Sequence, residues 1–170
     1  MARVRTRLYT IGLILTLISA GERASAQAPD RGTGPRMVPG PVRVIEGDTL
    51  EVFVDGTRVG VRVIGIKAPP GNTPCGREAI AATQALVSDG IYLDEDLLLP
   101  TIESRRKLRL YRVTTSNGRL LAEQLAEAGL AAEEPDDAPG RDNANIRAAE
   151  AAAKGAGRGC LSSGNSAQGR

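Results

Sequence analysis

Between Leu50 and Ile66 the chain alternates. Leu50, Val52 and Val54 fall on one side of a strand, and Val59, Val61 and Val63 repeat the pattern opposite Arg58, Gly60 and Arg62. Successive side chains of a strand point to opposite faces, so each run calls for one buried face and one solvated face. Asp55-Gly56 separates them, and Asp-Gly between two alternating runs is the signature of a two-residue hairpin. A shorter β-prone run, Val42 to Glu46, comes first and is cut off by Gly47-Asp48. Three runs joined by tight turns predict an antiparallel meander with one face on a core.

The rest of the chain supplies what that meander packs against. Lys67 to Pro74 is a Pro/Gly loop, and Thr73 can cap a helix that has Pro74 in its first position. That helix reads to about Ser88, with Ala79, Ala82, Thr83 and Leu86 on one face and Gly90 ending it. Ile91 to Leu99 and Lys107 to Thr115 return to strand character. Arg119 to Ala128 reads as an amphipathic helix with Gly129 as its C-terminal cap. An acidic Pro/Gly loop, Glu133 to Asp142, leads into an Ala-rich third helix, Asn143 to Lys154. Five β runs with a helix between the third and the fourth predict an α+β fold, a five-stranded OB barrel with three helices.

The N-terminus is of another kind. Arg3, Arg5 and Arg7 precede an apolar run from Leu8 to Ala20, and Ala24-Ser25-Ala26 follows. A basic start, a short apolar stretch and an A-x-A site make a secretory signal peptide over residues 1–26. The run falls short of the roughly 20 apolar residues that span a bilayer, so no membrane span is expected after cleavage. Residues 27–41, rich in Pro and Gly, read as a flexible lead-in. The domain is expected over 42–160, with a disordered Ser/Gly tail at 161–170.

Charge is reapportioned by that division. The whole chain has 22 basic and 20 acidic side chains, and residues 1–26 hold four Arg and one Glu, which leaves 18 and 19 for the mature part. A net charge of −1 lacks the global basic surplus expected of a protein that grips a phosphate backbone. The chain has no His and no Trp, which excludes Ser-His-Asp and Cys-His catalysis and His-ligated metal chemistry. Two cysteines, Cys75 and Cys160, remain in a chain expected to be exported to the periplasm or beyond, so a disulfide is expected. Closing so long a loop contributes about 4 kcal/mol in the chain-entropy model.

Val44-Ile45-Glu46-Gly47-Asp48-Thr49 resembles the strand signature of the staphylococcal-nuclease-like (thermonuclease) family. Arg62, fourteen residues after Asp48, matches the family's first active-site arginine. Cys75-Gly76-Arg77-Glu78-Ala79 is similar to the start of its first helix. Gly118-Arg119-Leu120-Leu121 through Gly129-Leu130-Ala131 is similar to its second helix and exit. The resemblance covers about residues 42–155 and implies phosphodiester hydrolysis. In that family calcium is held by hard oxygen ligands, a glutamate is the proposed base, and two arginines stabilise charge on phosphorus.

Carried over by position, the resemblance leaves an incomplete site. Asp48 matches the first metal-binding aspartate, and Arg62 and Arg109 match the two arginines, with Arg105, Arg106 and Arg112 competing for the second place. The second aspartate is replaced by Lys67 and the glutamate by Pro70. Pro135 and Asp137, in an acidic run, stand where the family has nucleotide-holding tyrosines. Lys67 is expected either to pair with Asp48 in place of a metal or to point into solvent. One carboxylate is a poor calcium site, because the ion takes 6–8 oxygens, so calcium is doubtful here. Arg62 and Arg109 are expected either to form an anion pocket or to be ordinary solvated or salt-bridged arginines.

Three functions follow from this reading. One is an exported nuclease-like domain that binds a phosphate-bearing ligand (a nucleotide or nucleic-acid phosphate) or a protein partner, with calcium-dependent hydrolysis weak or lost. Another is an active nuclease with a rearranged site drawing on Glu46, Glu51 or the Asp94–Asp96 acids. The third is a non-catalytic interaction module of the cell envelope.

Overall fold

The computed structural model describes residues 35–96, 108–134 and 141–162, except for the side chains of 141, 142 and 162. The expected signal peptide over residues 1–26, Arg105, Arg106, Lys107, Pro135, Asp137 and residues 163–170 lie outside the described residues.

The elements run β1 (Arg36–Val38), β2 (Arg43–Glu46), β3 (Thr49–Val54), β4 (Thr57–Val63), β5 (Ile66–Lys67), α1 (Pro74–Leu86), β6 (Ile91–Glu95), β7 (Arg109–Thr115), α2 (Leu121–Glu127), β8 (Ala132–Glu133), α3 (Arg141–Gly155) and α4 (Gly159–Ser162). The fold is α+β: a curled mixed six-stranded half-barrel sheet with four helices among the described residues. Strand order is β1-β6-β7-β4-β3-β2, and β5 pairs with β8 in a separate two-stranded sheet. All neighbours in the large sheet are antiparallel except β4 and β7.

The meander read from the alternation is present as β2-β3-β4. Leu50, Val52, Val54, Val59, Val61 and Val63 are all buried and join Ile91, Leu93, Tyr111 and Val113 in one core. Burying a Val or Leu side chain contributes about 1.5–3 kcal/mol, so this face is the principal apolar store of the fold. Helix α2 closes the core with Leu121 and Leu125, and α3 adds Ile146.

The sheet has more strands than five because the lead-in contributes. Arg36–Val38 lies within the stretch expected to be flexible, yet it pairs antiparallel with β6, Val38 opposite Ile91. A three-residue strand followed by Pro39-Gly40-Pro41 shows no alternation long enough to be read. The fourth helix is one turn, Gly159–Ser162, and it carries Cys160, which is bonded to Cys75 at the start of α1. The Leu161 N–H donates to the Gly129 carbonyl at 3.2 Å, so α4 is tied to both α1 and the exit of α2. No described helix is long and apolar enough to cross a membrane.

Candidate functional site

Asp48 sits at the turn between β2 and β3, and its position follows from the packing of that corner. Gly47 precedes it, and a Cβ on Gly47 would lie 2.8 Å from the Cβ atoms of both Ala68 and Ala79. Only a residue without a side chain lets the turn approach α1 and the segment after β5 so closely. The Thr83 hydroxyl, inside α1, donates to the Gly47 carbonyl at 2.9 Å, and the Val63 N–H donates to the Asp48 carbonyl at 2.9 Å. The corner is held from two sides before its side chain is considered.

That side chain is 2% exposed. A buried carboxylate needs donors or a counter-charge, and Asp48 has both. Oδ1 accepts from the Thr49 hydroxyl at 2.9 Å, and Oδ2 accepts from the Ala68 N–H at 2.8 Å. One guanidinium nitrogen of Arg62 lies 3.5 Å from Oδ2. Arg62 comes there because its register partner on β3 is Thr49, the residue after Asp48. Its side chain is 19% exposed, and its buried Nε has no hydrogen-bond partner among the described residues.

Lys67 does not join this cluster. It ends β5 with its side chain 69% exposed, and its ammonium is 3.9 Å from a Glu134 oxygen. Of the two expectations for Lys67, the solvent-facing one is met, and the Lys67–Asp48 pair does not form. Ile66, its neighbour on β5, is fully buried, and strand alternation then sends Lys67 outward. Pro70, at the position of the expected base, contributes its carbonyl to the local turn, accepting from the Thr73 N–H at 2.9 Å and hydroxyl at 2.8 Å. Thr73 in turn caps α1 by accepting from the Gly76 N–H at 2.9 Å, as its sequence position predicts.

Arg62 and Arg109 occupy adjacent strands but opposite faces. In the parallel β4–β7 register, Arg62 is opposite Leu110, whereas Arg109 is opposite the buried Val61. Partners directly across a ladder share a face, so Arg109 starts on the core side with Tyr111. Burial pushes the Tyr111 hydroxyl above its ordinary pKa, and a hydrogen bond with Arg109 opposes that rise. Arg112, two residues beyond Leu110, shares the face of Arg62 and pairs with Asp96 at 3.1 Å.

The remaining carboxylates are dispersed. Glu51 lies 3.3 Å from Arg43 and 3.4 Å from Arg58 on the outer wall. Asp96 faces Arg112, while Glu95 lies opposite Tyr111 on the other side of β6. Glu46 is half-buried at the end of β2. Among the described residues no three His, Cys, Asp or Glu side chains converge as a metal site would require. Three groups that define the Asp48 corner escape sequence reading. The Ala68 donor is a backbone N–H, which leaves no residue-type signal. Thr49 and Thr83 carry only the weak mark of a hydroxyl next to a turn and within an Ala-rich helix. No family model matches this chain, and no curated protein matches it.

Proposed function

We propose that the chain is a staphylococcal-nuclease-like OB barrel whose catalytic corner has become structural, so that the exported protein binds rather than cuts. The strand order supports the barrel part. β1 and β2 read as the two halves of one first strand, interrupted at Pro39-Gly40-Pro41. With β3, β4, β6 and β7 they make five strands, the first contributing to both edges. The disulfide between Cys75 and Cys160 fits an oxidising compartment, as does the A-x-A segment.

The single observation that carries the loss of hydrolysis is the satisfied Asp48 carboxylate. Thr49 and Ala68 occupy its two oxygens and Arg62 supplies the counter-charge. Calcium needs 6–8 oxygens. One carboxylate beside a guanidinium, with Lys67 and Pro70 at the neighbouring positions, does not fit it. Without a positioned base the reaction loses about 10²–10⁴-fold. Arg62 leaves 19% of its side chain exposed at this corner, while its Nε is buried. A phosphate-bearing ligand would be held there by Arg62, without Arg109, whose register places it on the other face.

The test is cleavage of single-stranded DNA and RNA by the purified mature protein, with and without calcium. No calcium-stimulated cleavage is expected. Robust cleavage that disappears in Asp48→Asn would sink this reading in favour of an active nuclease. Calorimetric titration with nucleotide then tests the ligand, and a signal unchanged in Arg62→Ala removes Arg62 from the site.

A further inference from the structure

Helix α4 is joined to the rest of the molecule by a hinge, a seat and a clasp. The hinge is residues 155–158, all of them exposed. Its backbone extends the end of α3, with the Ala156, Gly157 and Arg158 N–H groups donating to the Ala152, Lys154 and Ala153 carbonyls. A Cβ on Gly155 or Gly157 would meet no atom within 4 Å, so nothing packs against the hinge at those positions. The seat is two glycines. A Cβ on Gly129 would lie 2.1 Å from the Arg158 carbonyl oxygen, and one on Gly159 would lie 2.2 Å from the Ala128 carbonyl oxygen. The exit of α2 and the start of α4 therefore meet backbone to backbone, beside the Leu161–Gly129 hydrogen bond. The clasp is the disulfide from Cys160 to Cys75. No described residue of α4 belongs to the core, to which α3 gives Ile146 and Ala149.

We propose that this clasp is a redox latch: a dithiol opens it by attacking Cys160, and α4 then leaves its seat with the core intact. In the first step the reductant's thiolate bonds to Cys160 Sγ, the bond between the two Sγ atoms breaks, and Cys75 leaves as a thiolate. In the second step the reductant's other thiolate attacks its own half of the mixed disulfide and releases Cys160. A pair of electrons passes from the dithiol, which becomes a disulfide, and its protons go to the two cysteines.

Access selects the sulfur, because exchange depends on which one a thiol can reach. Cys160 is half-buried on a single turn and follows the exposed Arg158 and Gly159, whereas Cys75 is 8% exposed. Gly76, next to Cys75, lies so close to Pro70 that a Cβ would fall 1.9 Å from the Pro70 carbonyl oxygen, which covers that flank of Cys75. The leaving group agrees with this direction. Cys75 follows Pro74 in the first turn of the 13-residue α1, a turn with no acidic residue, and the N–H groups of a helix start favour a thiolate. Opening stays local because α1 keeps its own cap, with the Gly76 N–H donating to the Thr73 hydroxyl at 2.9 Å. The inference does not depend on whether the Asp48 corner cuts or binds.

Glutathione, a monothiol, traps the first step on the folded protein. Peptide mass analysis after alkylation is expected to find glutathione on Cys160 and the alkyl group on Cys75. Dithiothreitol completes the reduction, and hydrogen exchange reads the result. The Leu161 N–H is expected to lose about 10²-fold or more of its protection, whereas the amides of β3 and β4 stay protected by about 10³-fold or more over an open chain. Cys160→Ser should match the reduced protein without any reductant. Glutathione on Cys75 overturns the proposal, as does a disulfide that thiols reach only in denaturant. A Leu161 N–H that stays protected after reduction or in Cys160→Ser overturns it too. Loss of β3 and β4 protection together with that of Leu161 would make the bond a staple of the whole fold and not a latch. Wild type is reduced after it has folded, so its exchange decides the matter even where Cys160→Ser fails to fold.

Discussion

Strand β3 is bounded by the same two residue types in opposite order, Gly47-Asp48 before it and Asp55-Gly56 after it. Composition does not distinguish these turns; their surroundings do. Gly47 is there for space, because Ala68 and Ala79 approach it. Gly56 is there for its backbone, at φ +76 with nothing near its Cβ position. Asp48 is buried against Arg62, whereas Asp55 pairs with Arg36 while 77% of its side chain is exposed. Each aspartate has an arginine, so the two turns form an internal experiment on what burial adds to an ion pair.

The largest break in the comparison is expected at Asp48. Replacing it by alanine strands the Arg62 guanidinium, which is mostly buried, and leaves the Ala68 N–H without its acceptor. Removing one member of a buried pair costs about 3–5 kcal/mol, and chemical denaturation of Asp48→Ala should show a loss in that range. A loss under about 1 kcal/mol would mean the pair is solvated like a surface one, and the structural account of this corner would fail with it.

The glycines give the next contrast. Gly47→Ala forces a methyl to within 2.8 Å of two alanine methyls, and overpacking of this kind costs about 1–3 kcal/mol. Gly56→Ala meets no atom and pays only for a positive φ, about 1–2 kcal/mol. The same denaturation experiment on both variants checks the order. If Gly56→Ala were the more damaging, backbone conformation would outweigh packing, and the reason given for Gly47 would be wrong.

How much of this could be read in advance differs between the two turns. The hairpin was legible from Asp-Gly between alternating runs, and it forms with Val54 opposite Thr57. The Thr73 cap, the faces of α1 and the pairing of Cys75 with Cys160 were legible too, since each rests on local chemistry or on a count of cysteines. The Asp48 corner was legible only as a position. Its partner was expected to be Lys67 or none, and it is Arg62. The reason is that two registers decide the matter: β3 on β4 places Arg62 beside Thr49, and the buried Ile66 turns Lys67 outward. The faces of Arg62 and Arg109 depend likewise on the parallel β4–β7 register, which no local pattern specifies. β1 carries no pattern of its own, because three residues cannot display an alternation.

The smallest effect belongs to Asp55, and it sharpens the contrast most cleanly. Asp55 adopts φ +50 and Gly56 φ +76, the two positive values that a type I′ turn demands. Asparagine tolerates that conformation as well as aspartate does, so Asp55→Asn removes the charge and leaves the turn intact. What remains is the exposed ion pair with Arg36, and exposed pairs are worth about 0–1 kcal/mol and are screened by salt. Asp55→Asn should therefore shift stability by no more than about 0.5 kcal/mol. In about 1 M salt, where the Debye length falls to roughly 3 Å, wild type and variant should converge. The Asp48–Arg62 pair, shielded from ions by the corner around it, should keep its contribution at the same salt. A large loss in Asp55→Asn that salt does not erase would show that Asp55 holds β1 against the hairpin as a structural group. The hairpin end of β3 would then be pinned as the Asp48 end is, and burial would no longer separate the two turns.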